Sequence, residues 1–132
     1  MKTYTIQSIA GFLGGVFSFL FGPLDAFFMA LICLEVIDFF GGVSVAVVER
    51  KVNSEKCFRG LLKKIFILAM VALGQLIDIA MGQSVCRNVI VFFYIANEAM
   101  SIIENAGKIG LPVPKKVISV LEQLKGEEDN AE

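Results

Sequence analysis

The sequence predicts an all-α membrane protein: four transmembrane helices followed by a short cytoplasmic amphipathic helix. Three observations carry this. The chain is 56% hydrophobic with 12 Phe and no Trp, and its mean hydropathy is +0.73, above the apolar share of a soluble domain. Its apolar residues fall into long runs separated by charged or turn-forming stretches. Finally, the basic residues between those runs sort almost entirely onto one side once the runs are threaded through a bilayer. With 132 residues there is room for a single unit. Residues 1–111 are assigned to the transmembrane domain, and 112–132 to an amphipathic segment and a disordered acidic tail.

The first apolar run, 6–21, would be roughly 24 Å long as a helix. That is short of a hydrocarbon core of about 30 Å, so it needs its flanks or a thinned bilayer. No small-residue cleavage pattern follows, so this run is read as retained in the mature chain. Gly22-Pro23 breaks the helix, and Asp25 opens the next. Run 24–48 is long enough to span with tilt. Runs 65–81 and 89–103 are again short. Leu111-Pro112-Val113-Pro114 stops the last of them. Val117, Ile118, Leu121 and Leu124 then recur at helical spacing beside Lys115 and Lys116, the pattern of a helix lying on a membrane surface. The acidic stretch 126–132 has no apolar anchor and is expected to be disordered.

Charge sets the topology. The stretch 49–64 carries Arg50, Lys51, Lys56, Arg59, Lys63 and Lys64, and is read as a basic loop. Lys108, Lys115, Lys116 and Lys125 lie toward the C-terminus and Lys2 at the start. Four spans put all 12 bases except Arg87 on one side, which the positive-inside rule makes the cytoplasm, with both termini there. The alternative, three spans with an interfacial N-terminal helix, moves only Lys2.

Two sets of residues mark where helices meet or function resides. Gly11 with Gly15, and Gly14 with Ser18 and Gly22, form small-residue stripes on which helices approach closely in lipid; Gly41, Gly42 and Gly74 are candidates for the same role. Glu35, Asp38, Asp78, Glu98 and Glu104 lie in apolar stretches that hold no Lys, Arg or His. A charged acid at a helix centre costs about 2.5–3.5 kcal/mol on insertion scales, so retaining several needs a reason. Glu35 and Asp38 share a face, Gln75 precedes Asp78 by one turn, and Asn97, Glu98, Glu104 and Asn105 form a polar stripe. Two readings stand open. Either these groups hydrogen-bond one another inside a compact bundle, or they face water in a multi-chain assembly.

No enzyme signature is present: the chain lacks a P-loop, nucleophile elbow, HExxH or dinucleotide fingerprint. It has no His, which removes imidazole catalysis and His metal sites. Cys33, Cys57 and Cys86 show no metal or redox spacing. No cofactor is expected. A net charge of −1 gives no reason to expect nucleic acid, whereas the basic stretch suits anionic lipid head groups or simply fixes topology.

From Leu34 to Leu124 the sequence resembles the bacteriophage holin family that includes the clostridial toxin-secretion holins. The run Val91-Phe92-Phe93-Tyr94-Ile95-Ala96-Asn97-Glu98-Ala99-Met100-Ser101-Ile102-Ile103-Glu104-Asn105-Ala106-Gly107, continued by Leu111-Pro112-Val113-Pro114, is its most specific part. Gln75-Leu76-Ile77-Asp78 and the basic stretch from Ser54 to Lys64 are similar as well. Two positions depart: Gly41 stands where the family usually has Thr, and Cys57 where it has Gly. The resemblance implies a protein of the bacterial cytoplasmic membrane that self-associates and opens lesions releasing an endolysin or a large toxin. Two other classes stay open: a small ion or proton channel, and a membrane scaffold without a pore.

Overall fold

The computed structural model describes residues 1–129 as five helices. They are α1 (Lys2–Phe21), α2 (Ala26–Val48), α3 (Ser54–Met81), α4 (Cys86–Ile109) and α5 (Lys115–Asp129). The first four are each long and apolar enough to cross a membrane. At 20 residues, α1 reaches about 30 Å, which matches the hydrocarbon thickness.

Turn chemistry sets the boundaries. Asp25 caps α2 by accepting from the Phe28 amide at 2.9 Å. Asn53 does the same for α3, accepting from Glu55 and Lys56 at 2.8 and 3.3 Å, as a good N-cap should. Gly82 and Gly110 end α3 and α4 in the left-handed conformation, φ 65° and 89°. Each is flanked by the paired return bonds of a Schellman motif, such as Gln83 N–H to Asp78 O at 3.0 Å. The end of α2 uses the same motif with Arg50 at φ 54° instead of glycine; there the Lys51 amide returns to Ala46 O at 2.9 Å.

Helix lengths differ from the apolar runs. α3 begins at Ser54, so Lys56, Arg59, Lys63 and Lys64 lie on a helix and only 49–53 remains as loop. α4 likewise extends beyond 89–103 at both ends. The reason is that Lys, Arg, Gln and Glu end a hydropathy run yet are good helix formers. A helix of 28 residues is about 42 Å long, and the charged start of α3 stands beyond the apolar layer. α5 continues through Gly126 to Asp129, where a disordered tail was expected from the sequence; residues 130–132 lie outside the described part.

α4 is the central helix, packed on α2, α3 and α5. α2 and α4 run parallel, with Asp25 beside Arg87 at one end and Asp38 beside Asn105 toward the other. α3 runs against both. The core is Phe28 and Leu31 from α2, Ile67 and Val71 from α3, and Val91 from α4. α1 is the least covered helix and packs on α3: every residue before Leu20 is exposed, and its rings Phe17 and Phe21 meet Phe28 at 6.1 and 5.7 Å between centroids. α5 touches α4 alone among the described helices, with Ile118, Leu121 and Leu124 half-buried and Val117 and Val120 outward.

Candidate functional site

Two charge clusters lie about 21 Å apart along α3. In the first, Lys64 of α3 is shared by two acids. Its Nζ donates to Asp38 Oδ2 at 2.6 Å and to Glu98 Oε2 in a close contact. Asn105 Nδ2 donates to the other Asp38 oxygen at 3.2 Å. Glu98 is 3% exposed and Glu35 6%. Glu35 lies near enough to Glu98 and Lys64 to feel both charges, and its Oε1 is buried with no hydrogen-bond partner among the described residues. An unmade bond of that kind costs about 1–3 kcal/mol.

This cluster lies between two open clefts. One, about 540 Å³, runs along α3 and α4 past Phe66, Tyr94 and Asn97. The other, about 300 Å³, runs between the end of α2 and the start of α3. Asp38 and Lys64 line both. The charged groups are thus held between helices within one chain and reached by grooves from two sides.

The second cluster closes the opposite end. The Arg87 guanidinium donates to Phe21 O at 2.6 Å, Pro23 O at 2.9 Å and Asp25 Oδ2 at 3.1 Å. It also sits 5.6 Å from the Phe28 ring centre, within reach of the ring's negative face. Asp25 lies outside the helices. The Phe28 amide holds its carboxyl below the usual carboxylate range, partial burial opposes this, and Arg87 adds to the lowering. Asp78 serves α4, whose own N-cap residue offers no side-chain bond. Its carboxylate accepts from the Val85, Cys86 and Arg87 amides at 3.2, 2.8 and 2.9 Å. A negative group on three unpaired amides at a helix start is favourable.

The acids without cationic partners therefore need correction. Lys64, assigned to a basic loop, and Arg87, the lone base of the far side, both sit among them. The signal for Lys64 was available: Asp38 and Lys64 are equally far along the chain from Lys51, mid-turn, so antiparallel register places them side by side. Arg87 follows a turn and gave no such cue.

The remaining candidates divide. Asn97 is half-buried in the larger cleft, while Glu104 is exposed, so the α4 stripe splits into an inner row of Glu98 and Asn105 and an outer row. Gln75 packs near Gly22. Gly41 and Gly42 face Asn105, and Gly74 faces Ile90 and the Arg87 backbone. Gly11, Gly14 and Gly15 meet nothing within 4 Å of a built Cβ, and Ser18 on the same helix is exposed. The described cysteines are free.

The sequence pattern of the bacteriophage holin family matches residues 15–126. Similar curated proteins include the uncharacterized protein Lin0175 of Listeria innocua, 37% identical over 92% of this chain and 89% of its own length. The uncharacterized protein BH0965 of Halalkalibacterium halodurans is 38% identical over 90% and 93% of the two chains. An uncharacterized 14.9 kDa protein in the nagH 3' region of Clostridium perfringens is 32% identical over 85% and 86%. No solved structure matches.

Proposed function

Since the chain belongs to the bacteriophage holin family, we propose that this multi-pass membrane protein acts as a holin: it self-associates in the bacterial cytoplasmic membrane and opens lesions that pass an endolysin or a large toxin. The family match over 15–126 is the observation that carries this reading. Two features support it. The face of α1 bearing Gly11, Gly14 and Gly15 has open space beside each glycine among the described residues, leaving small residues for packing between copies. The Lys64, Asp38 and Glu98 cluster lies where two clefts approach it, so water in an assembled array has polar groups to hydrate. The one-sided bases favour both termini in the cytoplasm, with α5 on that membrane face.

Liposomes loaded with dyes and with a folded muralytic enzyme test this. Release of both above a threshold protein density is expected; retention of dye at high density overturns it. The same cluster favours one competing reading, a small cation pathway, which would pass ions and hold back the enzyme.

A further inference from the structure

We propose that the cleft between the end of α2 and the start of α3 is a binding site for one anionic phospholipid. The cleft holds about 300 Å³ and has two unlike halves. Phe39, Val43 and Ala46 wall it along α2, within the apolar span. Lys51 and Lys56 stand over it at the turn and the first turn of α3. The Schellman motif at Arg50 returns the Lys51 backbone to Ala46, so the base sits above the apolar wall it follows.

The charges at the mouth are not consumed internally. Lys56 is exposed and its side chain makes no hydrogen bond or ion pair among the described residues. Lys51 is 73% exposed, with Glu49 Oε2 no closer than 4.0 Å. The inner end is different: Asp38 there is already paired with Lys64 and accepts from Asn105, so Lys51 and Lys56 are the bases left open at the mouth. A ligand must therefore carry a negative group at head-group depth and hydrocarbon directly below it. A phospholipid with a net negative head meets both demands.

Spin-labelled phosphatidylglycerol and phosphatidylcholine, each incorporated with the full chain in phosphatidylcholine bilayers, give the test. The motionally restricted fraction of each label reports relative association. The intact chain should prefer phosphatidylglycerol, and Lys51→Ala with Lys56→Ala should remove most of that preference, up to about five-fold per lysine. Gly42→Leu should remove it without changing charge, since a Cβ there meets only Asn105 Nδ2 at 4.0 Å and the added side chain fills the cleft. Lys115→Ala with Lys116→Ala, outside the cleft, should leave it intact. The proposal is overturned if the last pair acts like the first, if Gly42→Leu leaves selectivity unchanged, or if free glycerol phosphate displaces the lipid. Helical circular dichroism identifies any misfolded variant, and the charge and wall variants each decide the matter alone.

Discussion

Lys64→Met is the most searching single perturbation of the first cluster. The side chain length is kept while the cation is lost, so Asp38 and Glu98 are left facing each other. Lys64 and Asp38 are each 14% exposed and Glu98 4% by side chain, so water screens the remaining charges poorly. Removing one partner of a buried ion pair costs about 3–5 kcal/mol. Asn105 still donates to Asp38, which favours the lower half of that range. Equilibrium unfolding in mixed micelles, followed by circular dichroism as the denaturing detergent fraction rises, reads this directly. Adding Asp38→Asn and Glu98→Gln to Lys64→Met should recover at least half of the loss, because neutral groups tolerate burial better than unpaired charges. A Lys64→Met chain within about 1 kcal/mol of the parent would refute the electrostatic account. So would failure of the neutral pair to rescue, which would assign the loss to packing.

Other outcomes follow from the same structure. Arg87→Lys cannot reproduce three divergent donor contacts from one ammonium, so amide exchange across 21–25 should quicken while the core of α3 and α4 stays protected; unchanged exchange would remove Arg87 as the clasp on α1. Gly74→Ala places a Cβ 2.8 Å from Ile90 Cδ1 and 3.0 Å from the Arg87 backbone, so a destabilisation of about 1–3 kcal/mol is expected in the same unfolding assay. Gly14→Leu puts its Cβ in open space among the described residues and should leave unfolding unchanged while lowering the cross-linked oligomer yield, if α1 packs between copies as proposed. Asp25 has a folded pKa below its ordinary value of 3.8. Its contribution is therefore complete above that value and disappears as pH falls through the lower folded one. Protection of the Phe28 amide relative to its intrinsic exchange rate should fall only in that acid window, and Asp25→Asn should abolish this acid-dependent loss of protection.

The four spans, their order and a fifth helix after them were legible because hydropathy and breakers act locally: Gly22-Pro23 and Leu111-Pro112 each mark a boundary by backbone chemistry alone. Helix ends were less legible, since Lys56, Arg59 and Lys63 interrupt hydropathy without interrupting helix. Polar residues inside the apolar runs were visible in the sequence, yet their partners were not. Asp78 caps a helix beginning across a tight turn, and Arg87 gathers carbonyls from another turn more than sixty positions earlier. Such pairings depend on which helices become neighbours, and nothing in the local sequence encodes that. Glu104 shares the polar stripe with Glu98, but one row of rotation leaves it exposed.

The two ionic knots also constrain how this chain can move. One pins α2 to α4 and to the preceding turn near Arg87; the other pins α2, α3 and α4 through Lys64. A piston-like slip of any of these helices by one turn, about 5.4 Å, would break the contacts that make up one of the knots. Sliding is thus the costly mode, and α1, which meets its neighbours from Phe17 to Gly22, is the helix with the most freedom to swing.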